Sequence, residues 1–210
     1  MGRPRKTPDS EAAASVPRII GGDLRGRKLA FAPAPRTRPM KDRVRETLFD
    51  LLGTRIRGAT VLDLFAGTGA LGFEAVSRGA ERAVFVERHF PTADAIRRSA
   101  KDLGIEGRTD VRPGDALLWS KRMPDLPASA AWVAFISPPW SFFVDRTAEL
   151  MDLVHAVMAA APAGSTVVVE SDHTFDPVAL PSASEWQSRA IPPAVLHIWH
   201  RPPDGHTSDG

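Results

Sequence analysis

The stretch V-L-D-L-F-A-G-T-G at residues 61–69 limits the fold of this chain more than any other segment. Its apolar start does not alternate with polar residues, so it reads as a strand buried on both faces. Gly67 and Gly69 end that strand in a turn where the missing Cβ atoms let another group come close to the backbone. Ala70 to Arg78 then has the composition of a helix, and Gly79 closes it. A strand that feeds a helix through a tight turn is half of a βαβ unit, so a parallel partner strand is expected next.

The rest of the chain repeats this alternation. Arg82 to Glu87 reads as a strand, Pro91 to Leu103 as a helix stopped near Gly104, and Arg108 to Arg112 as a shorter strand before the turn Pro113-Gly114-Asp115. Ala131 to Ile136 is a strand, Asp145 to Ala160 a helix and Ser165 to Glu170 another strand; Trp186 to Ala190 and Ala194 to His200 form a closing antiparallel pair. The pattern predicts a doubly wound, Rossmann-like α/β sheet, mostly parallel with an antiparallel closing strand and helices on both faces. Ahead of it, short apolar pieces flank Gly21-Gly22 and Gly26 between Pro17 and Phe31, which predicts a small N-terminal β-hairpin. Pro33, Pro35 and Pro39 interrupt regular structure, and Lys41 to Leu52 has helical spacing ended by Gly53. The expected organisation is a disordered tail at 1–16, one domain at 17–200 with the basic hairpin at 17–40, and a second disordered tail at 201–210.

A chain of 210 residues that is 43% hydrophobic can bury one full core. It has no cysteine, which excludes disulfides and thiolate metal sites; no metal is expected. No apolar run is long enough to span a bilayer, and the start M-G-R-P-R-K-T lacks the apolar core of a signal peptide, so a cytoplasmic setting without membrane contact is expected. Net charge is only +2, but its distribution is uneven. Arg18, Arg25, Arg27, Lys28, Arg36, Arg38, Lys41, Arg43 and Arg45 face only Asp23 and Asp42 within residues 18–45. Such a block suits a surface that meets phosphates, or equally a solubilising arm.

The chemistry lies at the strand ends, where open α/β sheets bind their ligands. Asp63, Glu87 and Asp115 follow or end three successive strands. A carboxylate inside the first turn suits a cationic amino acid moiety better than a pyrophosphate, which argues against a nicotinamide dinucleotide. Glu87 is placed to accept ribose hydroxyls, and Asp115 an adenine amino group. S-adenosyl-L-methionine satisfies all three, with Asp63, Phe65, Ala66, Gly67, Thr68, Gly69, Glu87, Arg88, Asp115 and Ala116 as the candidate cofactor site. A second segment, F-I-S-P-P-W at 135–140, carries a strand into a rigid turn. An aryl amine is a poor nucleophile because its lone pair is delocalised into the ring. The Ser137 hydroxyl and the Pro138 carbonyl can accept its two hydrogens, with Pro138 and Pro139 fixing both acceptors in place. Trp140 can stack on an extruded base. These four are the candidate catalytic residues of an enzyme that methylates an exocyclic amine.

D-L-F-A-G-T-G resembles motif I of the class I methyltransferases, and S-P-P-W resembles the D/N/S-P-P-Y/F/W motif of those acting on exocyclic amines. R-I-I-G-G-D-L-R-G-R-K-L at 18–29 and R-P-M-K-D-R-V-R-E-T-L-F at 38–49 closely resemble the bacterial 16S rRNA guanine-N2 methyltransferases of the RsmD type. L-D-L-F-A-G-T-G-A-L-G-F-E-A-V-S-R-G-A at 62–80 is similar to that family's motif I and the helix after it. The resemblance implies methylation of a guanine 2-amino group in 16S rRNA, on the small subunit or its assembly intermediate, by a monomer. With an RNA substrate, the basic block makes Arg18, Arg25, Arg27, Lys28, Arg38, Lys41 and Arg43 the candidate nucleic-acid contacts. Two departures stand out. Ser137 replaces the family's usual Asp before Pro-Pro, and Met40-Lys41 replaces Thr-Thr. On motif grounds alone, Ser137→Asp is expected to keep or raise activity. Glu170-Ser171 is similar to the family's acidic strand end. Two other readings stay open: an amine methyltransferase acting on cytosine or adenine in RNA or DNA, and a non-catalytic RNA-binding ribosome assembly factor that retains the fold.

Overall fold

The computed structural model describes residues 16–30, 40–126 and 128–203. The two expected tails beyond these limits, the proline-rich stretch before Met40, and Arg36 and Arg38 with it, lie outside the described residues. The element order is α1 (Asp42–Leu52), β1 (Thr60–Asp63), α2 (Ala70–Ser77), β2 (Arg82–Glu87), α3 (Phe90–Leu103), β3 (Thr109–Pro113), β4 (Trp132–Ile136), α4 (Phe142–Asp145), α5 (Thr147–Ala160), β5 (Thr166–Asp172), β6 (Gln187–Ile191) and β7 (Ala194–His200).

The strands form one sheet in the order β3-β2-β1-β4-β5-β7-β6. The first five pair in parallel, and β7 joins β5 and β6 antiparallel. Strand order reverses between β1 and β4, which opens a crevice at their carboxyl ends. Successive strand residues supply opposite faces. Val61, Phe85, Phe135 and Val168 pack with α1, α2 and α3, while Leu62, Val84, Ile136 and Val169 pack with α5. Both faces are therefore covered, which explains why every residue of β1 and β4 is buried and β4 is apolar throughout. No described helix is long and apolar enough to cross a membrane.

The hairpin and one helix differ in detail from the sequence reading. The N-terminal segment closes through a single antiparallel bridge, Arg18 with Lys28, rather than two regular strands. Its conformation comes from docking. Ile20 N–H donates to Glu74 Oε2 at 2.7 Å, Leu24 N–H to Ser77 Oγ at 2.9 Å, and Ala30 N–H to Ser99 Oγ at 2.8 Å. Gly22 lies at φ +73, and a Cβ there would sit 2.0 Å from the Ser77 carbonyl oxygen, so the approach to α2 requires glycine. The helix expected over 145–160 is divided, and α4 begins at Phe142. The break falls at Arg146, whose guanidinium binds both Glu149 and Asp115, and Phe142 and Phe143 are buried ahead of it. β5 continues to Asp172 because β7 pairs with it as far as Ala194. Arg201 donates from its N–H to the Ser165 carbonyl at 2.8 Å, so the ordered chain continues past His200.

Candidate active site

A cavity of about 650 Å³ opens at the β1/β4 switch point. Asp63, Phe65, Ala66, Gly67, Thr68, Glu87, Arg88, Asp115 and Ala116 line one part of it, and Ser137, Pro138, Pro139 and Trp140 another. The size is in the range of cofactor pockets. The topology thus brings together two segments far apart in sequence, because β1 and β4 are sheet neighbours.

The three acids are held differently. Asp63 is buried and accepts the Gly72 N–H at 3.0 Å, which anchors the first turn of α2. Glu87 accepts the Gly67 N–H at 2.8 Å and the His89 N–H at 2.7 Å, one on each oxygen. That ties the glycine turn to the end of β2, and each oxygen keeps a lone pair for a ligand hydroxyl. Asp115 accepts the Leu117 N–H at 3.0 Å and faces Arg146 at 3.4 Å. The glycines also divide. Gly67, at φ +52, lines the cavity. Gly69 does not: a Cβ there would sit 2.8 Å from the Phe73 ring and 3.2 Å from Phe85, so its role is packing.

Burial pushes the Asp63 carboxyl up to about 7 from its ordinary 3.8, against the lowering effect of the Gly72 hydrogen bond. The folded protein therefore holds this proton more tightly than the unfolded chain. The stability Asp63 contributes is full below 3.8 and is lost as pH rises through about 7. Asp63→Asn keeps an acceptor for Gly72 but does not titrate. Its Tm relative to the ligand-free native protein is expected to climb between about pH 4 and 7 and to level off above that; a constant difference over that range contradicts the assignment.

At the other end of the cavity the Ser137 hydroxyl donates a hydrogen bond to Glu170 Oε2. Ile136 pairs with Val169, so Ser137 and Glu170 are neighbours at the ends of β4 and β5. Burial pushes the Glu170 carboxyl up, and the Ser137 hydrogen bond pulls it partly back. Glu170 also lines the cavity, as do Pro193 and Ala194. Sequence reasoning did not place Glu170 in the site. An acid at the end of the last parallel strand was visible, but that this strand lies next to β4 is a fact of topology.

The basic residues are only partly an open surface. Arg25, Lys28 and Arg43 are exposed, and Lys41 is exposed at the mouth of the cavity it helps to line. Arg18 pairs with Asp42 at 3.5 Å, and Arg27 donates to the Asp102 carbonyl at 2.7 Å, tying the hairpin to the end of α3. Arg38 lies outside the described residues. Arg45 is buried and turned inward, bonded to Asp42 and to the Arg18 carbonyl.

The family described as conserved hypothetical protein 95 matches residues 17–195. The chain belongs to this family. The chain is 51% identical over 138 residues to the ribosomal RNA small subunit methyltransferase D of Escherichia coli strain K12, covering 64% of this chain and 65% of that protein. The matched stretch thus spans just under two thirds of that relative's length. Among solved structures, a putative methyltransferase from Escherichia coli superposes with a TM-score of 0.69 at 28% identity, over 89% of this chain and 98% of that one. An RNA methyltransferase from Salinibacter ruber, solved with S-adenosyl-L-homocysteine, superposes at 0.56 and 18% identity, over 82% of this chain and 98% of that one. The likeness to the Salinibacter ruber protein is one of fold alone.

Proposed function

We propose that this protein transfers a methyl group from S-adenosyl-L-methionine to the exocyclic 2-amino group of a guanine in 16S ribosomal RNA. The observation that carries the reading is the meeting, in one cavity, of the strand-end acids with the Ser137-Pro138 turn. The donor set fits the cofactor: carboxylates at the ends of β1 and β2 and after β3, and a glycine turn held open by Glu87. Bound there, S-adenosyl-L-methionine supplies an electrophilic methyl on a sulfonium. Glu87 is placed for the ribose hydroxyls, and Asp115 with Ala116 for the adenine edge. Asp63, Phe65, Ala66, Gly67 and Thr68 border the amino acid end.

Ser137 Oγ and the Pro138 carbonyl accept the two amine hydrogens and direct the nitrogen lone pair at the methyl. Because the Ser137 hydroxyl spends its own hydrogen on Glu170, its lone pairs are left for the amine. Trp140 stacks on the base. No strong base is needed, since an alkylated aryl amine is acidic and gives up its proton readily. Orientation supplies most of the acceleration. The partner is the small subunit or its assembly intermediate, met by a monomer in the cytoplasm.

Calorimetric titration tests the cofactor: tight binding of S-adenosyl-L-methionine and none of a nicotinamide dinucleotide is expected, and the reverse contradicts the reading. Loss of one N2-methylguanine from small-subunit RNA on deletion of the protein tests the reaction. For the RNA surface, neutralising Arg25, Arg27 and Lys28 together is expected to weaken binding. It should also flatten its salt dependence, by roughly 0.7–0.9 in log–log slope for each phosphate left without its cation. An unchanged slope, with the fold intact, removes these residues from the interface.

A further inference from the structure

Methyl transfer through Ser137 and Pro138 gives Glu170 no substrate to touch, yet its carboxyl is placed to touch one. Oε2 holds the Ser137 hydroxyl, and Oε1 has no protein hydrogen-bond partner among the described residues. No cation pairs with it among those residues, and the side chain lines the cavity that Trp140, Pro193 and Ala194 also line. A buried carboxylate without a cation is costly unless donors reach it. Oε1 is not sealed off but opens onto the cavity, so a donor on a bound ligand can reach it in place of water.

The three nucleobases with exocyclic amines differ at the ring nitrogen beside that amine. In adenine and cytosine this nitrogen is a bare acceptor, which a carboxylate repels. In guanine the amine lies between a bare N3 and N1–H, and N1–H is the one donor among these nitrogens. Glu170 adjoins Ser137 at the end of β5, so a ring edge beside an amine held by Ser137 and Pro138 comes within its reach. We propose that Glu170 selects guanine by accepting its N1–H on Oε1. The inference rests on the cavity being the site of amine methylation, and it assigns the base specificity to a residue outside the S-P-P-W motif. Ser137 carries no charge, so the carboxylate that reads the base comes from the adjacent strand.

The test is single-turnover methyl transfer to small subunits reconstituted with ribosomal RNA carrying either guanine or 2-aminopurine at the target position. 2-Aminopurine keeps the 2-amino group and has a bare N1. Intrinsic reactivity differs between the two bases, so the guanine-to-2-aminopurine rate ratio is compared between the wild type and Glu170→Gln. A carboxamide still accepts from Ser137 and can turn its NH₂ toward a bare nitrogen. Glu170→Gln is expected to lower the ratio roughly ten- to a hundredfold, the worth of a hydrogen bond to a charged group, with the cofactor affinity unchanged. An unchanged ratio overturns the assignment. Failure of the wild type to methylate guanine at all refutes the underlying reading of the site instead.

Discussion

Replacing Ser137 by Ala is expected to slow single-turnover methyl transfer by roughly 10²–10³-fold, the loss that follows removal of one preorganised hydrogen-bonding group in a reacting site. Cofactor affinity should not change, because Ser137 contacts no residue of the strand-end acid series. Two consequences follow from its bond to Glu170. Ala at 137 frees a buried carboxylate from its hydroxyl donor, so the Glu170 carboxyl should move further up and the residual rate should gain a dependence on pH. Ser137→Asp, expected on motif grounds to keep or raise activity, would put two carboxyls side by side at the ends of β4 and β5. Like charges at that distance cannot both ionise. Asp at 137 should therefore fall below the wild type, and adding Glu170→Gln should restore part of the loss. A single variant Ser137→Asp as active as the wild type would show that the two side chains do not interact in the working enzyme.

The largest effect on stability is expected at Glu74. This carboxylate is wholly buried in α2 and takes the Ile20 N–H at 2.7 Å, the Arg78 guanidinium at 2.8 Å and the Arg45 guanidinium at 3.8 Å. Arg45 is itself buried, its Nε has no hydrogen-bond partner among the described residues, and burial lowers its pKa. Truncating Glu74 to Ala removes one of the two carboxylates nearest that cation and orphans a backbone donor of the hairpin. Breaking a buried pair in this way costs about 3–5 kcal/mol, read as the shift in the urea midpoint. Glu74→Gln, which can still accept from Ile20, should lose less. A change within ~1 kcal/mol for Glu74→Ala would place this pair with exposed ones. The hairpin is the element most exposed to the loss, so RNA binding should fall before cofactor binding does.

Much of this was legible in the sequence because two periodicities and a few turn residues carry it. Non-alternating apolar strands, helical runs closed by glycine, and acids at strand ends placed every parallel strand and put the ligand site at their carboxyl ends. What was not legible depends on contacts between segments remote in sequence. Arg45 looks like its basic neighbours, and only the docking of α1 against α2 turns it inward. Gly69 reads as a ligand-facing glycine, yet its hydrogen faces Phe73 and Phe85. The helix break falls at Arg146, which pairs with Glu149 and Asp115, and no proline or glycine marks it in the sequence. Glu170 enters the site because β5 lies beside β4, and strand order cannot be read along the chain.

The most direct test of the central claim is the identity of the methylated nucleoside. Small subunits from cells lacking this protein are incubated with it and S-adenosyl-L-methionine carrying an isotopic methyl, and the ribosomal RNA is digested and resolved by mass. One labelled product is expected, N2-methylguanosine, at a single position. Label in N4-methylcytidine or N6-methyladenosine, or no label from protein that binds the cofactor, would contradict it.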